Sequence, residues 1–107
     1  MTQRSWLIHL GEGLVGTAQL MHYDAGMNVR FGPFSPGPAY SQVQDVFQLF
    51  YSADEDPALL SQYYAKRDSL GLVVSDESGT AQSVVVHIVD CTADYPDEPL
   101  EVTLTPE

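Results

Sequence analysis

Three histidines and one cysteine could act as metal ligands, bases or nucleophiles: His9, His22, His87 and Cys91. Zinc sites favour closely spaced ligand pairs, and no H-x₃-H or C-x₂-C pair occurs here. His87 and Cys91 lie four residues apart on a predicted strand, about 13 Å from one another, which is too far for a nucleophile–base pair. The sequence therefore predicts no metal site and no catalytic pair from these two residues. His9 or His22 could still reach Cys91 from another strand.

A glycine pattern offers a second kind of site. Residues 11–16 (GEGLVG) match G-x-G-x-x-G after a predicted strand, but the segment that follows alternates like another strand and does not open a helix. The segment is superficially similar to the glycine loop of protein kinases. No H-R-D or D-F-G segment follows it, and 107 residues cannot hold a kinase catalytic lobe. The pattern therefore predicts a glycine-rich hairpin turn, and no cofactor is predicted.

Carboxylates are the most abundant polar groups, and they are unevenly placed. Fifteen acids and four bases give a net charge of −11, and residues 68–107 hold nine of the acids and none of the bases. Such a field repels nucleic acid and anionic membranes and attracts basic protein surfaces. We expect a basic partner to contact Asp90, Asp94, Asp97, Glu98 and Glu101. The alternative, that the charge only keeps the domain in solution, stays open.

Two aromatic residues, Phe34 and Tyr40, flank the proline-rich residues 32–38. Three prolines in this stretch lack a donor N–H, which predicts a connector between elements and not a central strand. Aromatic side chains exposed on a connector can anchor a partner, so both residues join the candidate partner-binding set. They could equally hold the connector down against the core.

Periodic spacing of apolar residues predicts the elements that position these groups. Alternation predicts three strands before the proline-rich segment and three near the C-terminus, the last being an edge strand over residues 100–105. Between them, Ser41 and Gln44 fit a capping box at the start of one helix, and Asp56 and Pro57 fit the start of a second. The order β-β-β-α-α-β-β-β predicts an α+β fold, with a largely antiparallel sheet of about six strands and two helices packed on one face.

The length predicts a single domain over residues 1–107. One unpaired cysteine and the absence of a signal-peptide pattern favour a reducing, cytoplasmic setting. Together these features favour a non-enzymatic, acidic protein-binding domain. Inhibitors, immunity proteins and antitoxins that engage a basic nuclease or nucleic-acid-binding protein have this character.

Two alternatives remain at this point. One is an accessory domain that forms homodimers through residues 100–105 or 34–40. The other is a small-ligand binder or enzyme that uses His9, His22 or Glu12. Neither direct nucleic-acid binding nor membrane binding is expected.

Overall fold

The computed structural model describes residues 5–20, 22–53 and 55–106. Arg4, Asp54 and Glu107, which contribute to the charge count, lie outside this part. The elements are β1 (Ser5–Leu10), β2 (Gly13–Gln19), β3 (His22–Asp24), β4 (Val29–Pro36), a 3₁₀ turn (Tyr40–Gln42), α1 (Gln44–Ala53), α2 (Pro57–Ser69), β5 (Val73–Ser75), β6 (Ala81–Gln82), β7 (Val84–Val89) and β8 (Leu100–Pro106).

The predicted α+β class and antiparallel sheet are confirmed, although the sheet has eight described strands and not about six. All of its described pairings are antiparallel. The added strands have local causes. The turn after Asp24 returns the chain early enough to pair a short β3 with β4. One of the three strands predicted near the C-terminus is divided at Ser83 into β6 and β7.

The sheet curls into an open barrel. Its strand order is β6-β5-β1-β2-β4-β8-β7, with β3 paired to β4, so β6 and β7 stand at opposite ends of the order. Yet Ser83 alone separates these two strands in sequence. Residues on either side of a single residue are at most about 7 Å apart. The two ends of the sheet must therefore meet near Ser83.

The core lies inside this curl. Strand register places one set of side chains on a common face, and all are buried: Trp6, Ile8, Ala18, Phe34, Val74, Val86, Ile88, Val102 and Leu104. Val43, Phe47 and Tyr63 from the helical segment join the same cluster. The helical segment therefore contributes to this core. Each buried side chain of this size contributes about 1.5–3 kcal/mol relative to exposure.

The predicted proline-rich connector is wrong, because β4 runs through it as a central strand between β2 and β8. Backbone N–H groups alternate in direction along a strand, and the N–H of Gly37 points to β2, where it bonds the Val15 carbonyl at 2.7 Å. The nitrogen of Pro33, four residues earlier, therefore points to the same side of β4. It lies in the gap between the residues of β4 that pair with β3 and those that pair with β2. The nitrogen of Pro36 faces β8, beyond the last paired residue, Phe34. Neither proline removes a ladder hydrogen bond.

The predicted strand over residues 100–105 is confirmed as β8, but its predicted position at the edge of the sheet is wrong. β8 is not an edge strand, since it pairs with both β4 and β7. Val102 and Leu104 alternate with polar residues because one face of β8 is buried and the other is more open. A central strand of a curled sheet and an edge strand can both show this alternation, so the pattern does not distinguish them.

The N-terminal cap predicted from the sequence is confirmed for α2 and is wrong for α1. The carboxylate of Asp56 accepts bonds from the N–H groups of Ala58 and Leu59 at 2.9 and 3.3 Å, as its N-cap position predicts. The capping box of α1 does not form. A 3₁₀ turn precedes the helix, and the amide of Gln44 donates instead to Asp90. The predicted hairpin at the glycine pattern is confirmed, with Gly11 in the turn at φ +59°.

Candidate functional site

Of the two alternatives for Phe34 and Tyr40, the structure contradicts an exposed partner anchor and supports burial against the core, because only 4% and 5% of their surfaces are accessible. The ring of Phe34 lies directly on Gly16, where an added Cβ would come within 2.2 Å of its Cζ atom. Tyr40 packs against Phe34 with ring centroids 5.5 Å apart. Both aromatics therefore hold the segment after β4 against the core and offer no free surface to a partner.

Asp90, expected at the surface, is buried with 1% of its surface exposed. Its carboxylate accepts four hydrogen bonds. The Tyr40 hydroxyl and the Gln44 amide donate to Oδ2 at 2.6 and 3.2 Å. The backbone N–H and the hydroxyl of Thr92 donate to Oδ1 at 2.9 and 2.5 Å. The predicted partner contact at Asp90 is therefore corrected, because a buried carboxylate with four internal donors serves the fold.

The charge state of this group follows from its partners. Burial raises the pKa of Asp90, but the hydrogen bonds from Thr92, Tyr40 and Gln44 outweigh it and hold the pKa below its ordinary value. Burial, together with the bond to Asp90, raises the pKa of the Tyr40 hydroxyl far above its ordinary value. At neutral pH, Asp90 is therefore a carboxylate and Tyr40 is its donor.

The Asp90 carboxylate fixes the start of the loop between β7 and β8, residues 91–99, which we call the acidic loop. Within it the N–H groups of Asp94 and Tyr95 both bond the Cys91 carbonyl, at 3.1 and 2.8 Å, and the N–H of Glu98 bonds the Tyr95 carbonyl at 3.0 Å. Two successive turns thus give the loop a defined backbone path. The amide of Gln48 also reaches Thr92 at 3.5 Å and links the loop to α1.

Four of the predicted carboxylates are exposed, three on the acidic loop and one on β8: Asp94, Asp97, Glu98 and Glu101. Over residues 5–20, 22–53 and 55–106 the single ion pair joins Arg67 to Asp68 at 3.0 Å. The four carboxylates are therefore not neutralised by any described base. The loop presents a fixed, uncompensated negative charge to solvent.

The three histidines lie on three different strands. His22 pairs with Phe31, whereas His9 lies past the level of Pro36, so at least five residues of strand, about 16 Å, separate their positions along the sheet. His22 stacks on Phe31 with centroids 4.9 Å apart. The part of the chain that the structure describes holds no group of three His, Cys, Asp or Glu side chains placed to bind a metal.

His87 belongs to the packing between β7 and the helices. Its Nδ1 lies 2.6 Å from the hydroxyl of Tyr63, and its ring lies edge-on to Phe50 with centroids 4.4 Å apart. Burial, with a contribution from the Arg67 charge, lowers the pKa of His87. Burial likewise raises the pKa of Tyr63 to about 12. The pair is therefore neutral at pH 7.

One cluster was not predicted from the sequence. The guanidinium of Arg30 lies over the rings of Tyr23 and Trp6, at 4.3 and 5.2 Å from their centroids, and the indole N–H of Trp6 donates to Glu77 at 2.6 Å. The turn at Asp24 could have revealed half of it, since that hairpin pairs Tyr23 with Arg30. The other half could not have been predicted, because β1 and β6 approach this hairpin only through the curl of the sheet.

Two hollows accompany these features. A cavity of about 120 Å³ borders Arg30 and Trp6 at the end of the barrel near Ser83. A wider cleft of about 450 Å³ lies between the end of α2, at Arg67 and Asp68, and residues 84–86 of β7.

Comparisons with protein-family models, curated proteins and solved structures found no match to this chain. Neither α1 nor α2, the two α-helices among the described residues, is long and apolar enough to cross a membrane. The chemistry of the described side chains is therefore the basis for a functional proposal.

Proposed function

We propose that this domain is a non-enzymatic protein-binding module whose acidic loop, with Glu101 beside it, engages a basic surface on another protein. The observation that carries the proposal is a set of four exposed carboxylates, none paired with a described base. Three lie on a loop anchored through a buried carboxylate and one lies beside it. Suitable partners are nucleases and nucleic-acid-binding proteins, whose functional surfaces are basic. The domain would then act as an inhibitor, in the manner of immunity proteins or antitoxins.

Two physical effects support this role. Carboxylates concentrated on one loop steer a basic partner during diffusion and raise the association rate, an effect that salt screens. A loop already ordered in the free protein also avoids an entropic cost of roughly 0.5–1.5 kcal/mol for each side chain that would otherwise be immobilised on binding. In this proposal the contact forms in the cytoplasm, where Cys91 stays reduced.

The test removes the charge without removing bulk. A triple variant, Asp94→Asn, Asp97→Asn and Glu98→Gln, is immobilised beside the parent protein and used to capture partners from extracts of the native cell. We expect partners captured by the parent at low salt to be lost with the variant. For a captured and purified partner, we expect the association rate to fall steeply with ionic strength.

A matched control neutralises three exposed acids elsewhere: Glu12→Gln, Asp45→Asn and Glu55→Gln. Both triple variants change the net charge equally, so only a local role separates them. We expect the control to bind the partner nearly as tightly as the parent does. Equal losses in the two variants, or binding that does not respond to salt, would contradict a role for the acidic loop.

A homodimer is the second candidate function, although it is supported by a different surface from the two predicted from the sequence. Residues 100–105 form a central strand and residues 34–40 are largely committed to the fold, so neither predicted contact is suited to pairing. β7 instead has one edge unpaired among the described strands, beside the cleft at the end of α2. Light scattering across a range of concentrations tests this candidate, and a constant monomer mass would rule it out.

A further inference from the structure

The cavity near Ser83 combines a base, one aromatic ring and several polar groups. Its volume is about 120 Å³. Since one water occupies about 30 Å³ in the liquid, the space equals roughly four waters. It is lined on its polar side by Asn28, Arg30, Gln82 and Ser83. These dimensions suit a small polar group.

Arg30 is the one described base at this cavity, and no described residue is its anionic partner. Among the described residues no carboxylate oxygen lies within 4.0 Å of its guanidinium, and none of its N–H groups forms a hydrogen bond there. Its guanidinium lies over the rings of Tyr23 and Trp6. These contacts place the guanidinium over the faces of the rings, so its N–H groups stay available to an oxygen acceptor.

Neighbouring groups add donors. The Oδ1 atom of Asn28 accepts from the Tyr23 hydroxyl at 2.8 Å, which leaves the amide nitrogen of Asn28 as a donor. Ser83 contributes a hydroxyl. Gln82 is committed, because its amide nitrogen donates to Asp76 at 2.9 Å. The cavity thus offers a planar fork of N–H groups together with an amide and a hydroxyl donor.

We propose that this cavity binds a carboxylate group. The guanidinium fork matches the two oxygens of a carboxylate. A phosphate dianion fits less well, since Glu77 is held close by through its bond to the Trp6 indole and the whole chain carries a charge of −11. The site is separate from the acidic loop and does not depend on its proposed role. The carboxylate could belong to a free small acid or to the C-terminus of a peptide.

The test uses Trp6, the single tryptophan of the chain. Its fluorescence and its indole N–H resonance report from the wall of the cavity. The protein is titrated with sodium acetate, with a short peptide bearing a free C-terminal carboxylate, and with the same peptide as its amide. We expect a saturable change with at least one of the two carboxylates and none with the amide. Stronger binding of acetate would indicate a free acid, and stronger binding of the peptide would indicate a chain terminus.

Substitutions distinguish specific binding at the cavity from a general effect of anions on the protein. Arg30→Gln should weaken binding by roughly tenfold or more, since it removes a charged hydrogen-bonding partner. Arg67→Gln is the matched control, because Arg67 also contacts two rings but already pairs with Asp68, and it should leave binding unchanged. Glu77→Gln removes the nearby negative charge, keeps an acceptor for the Trp6 indole, and should tighten binding several-fold.

Four outcomes would overturn the proposal. Sodium chloride could produce the same saturable change as acetate, which would show a non-specific anion effect. Arg30→Gln could bind as tightly as the parent does. A titration in which neither carboxylate changes the Trp6 fluorescence or its indole N–H resonance would also overturn the proposal. The Glu77→Gln variant keeps the test decisive if Arg30→Gln fails to fold, since loss of affinity in this variant would also contradict the proposal.

Discussion

Replacing Tyr40 by Phe removes one oxygen atom from the centre of the Asp90 network. The ring can keep its packing on Phe34, so the change isolates the 2.6 Å hydrogen bond to Asp90 Oδ2. That oxygen then keeps only the longer bond from Gln44. With Asp90 buried, water replaces the lost donor poorly. A hydrogen bond to a charged group contributes about 1.5–3 kcal/mol, so we expect a loss of about 2 kcal/mol in the free energy of unfolding.

The loss is measured by urea unfolding at pH 7, followed by the fluorescence of Trp6 and by circular dichroism. In a domain of this length it corresponds to a fall in Tm of roughly 8 °C. Tyr95→Phe is the control, since Tyr95 is on the acidic loop, 58% exposed, and its hydroxyl makes no hydrogen bond to another described residue. Its cost should stay within about 0.5 kcal/mol.

The effect of Tyr40→Phe also has a pH dependence whose sign is fixed. The folded pKa of Asp90 is below its ordinary value of 3.8, so its contribution to stability is present above that value and is lost as the pH falls through the folded pKa. Without the Tyr40 donor the folded pKa rises. The stability difference between parent and variant should therefore be full at pH 7 and shrink below about pH 4. A cost under about 0.5 kcal/mol at pH 7, or a difference that grows on acidification, would refute the assigned role of Asp90.

Three further perturbations test other features. Asp56→Ala should cost about 1 kcal/mol by urea unfolding, because it removes the N-cap of α2; an unchanged midpoint would contradict that capping role. Gly16→Ala should cost about 1–3 kcal/mol or displace the Phe34 ring, seen as a changed near-ultraviolet circular dichroism spectrum, and wild-type stability would show that the ring is not held there. The lowered folded pKa of His87 means that the unfolded chain binds more protons below about pH 6.5, so stability should fall from pH 7 to pH 5, and His87→Gln should flatten this slope; an equal slope would exclude His87 as its source.

Features set by neighbouring residues were predictable from the sequence. The cap and first residue of α2, Asp56 and Pro57, depend on the chemistry of a few adjacent residues, and the structure confirms them. The hairpin turn at Gly11 follows from glycine's access to positive φ. The α+β class follows from the order of the periodic segments, which requires no knowledge of which strands pair.

Features set by pairing partners were not predictable. A proline is excluded from a central strand only when its nitrogen faces a ladder bond, and the positions of Pro33 and Pro36 depend on where three other strands end. The burial of Asp90 depends on donors some fifty residues away in sequence. Acidic residues look alike in a sequence, so Asp90 could not be distinguished from the four other candidate carboxylates, which face solvent.

The position of β8 has a consequence for synthesis of the protein. Residues 100–106 are made after the other described strands, yet they lie between β4 and β7 in the sheet. Until they leave the ribosome, β7 has no described strand to pair with, and β4 lacks the partner along one of its edges. Pairings between distant segments are slow to form, and open strand edges invite contact with other chains. The nascent domain therefore cannot complete its sheet progressively from the N-terminus, and a chain halted before residue 100 would be a substrate for chaperones.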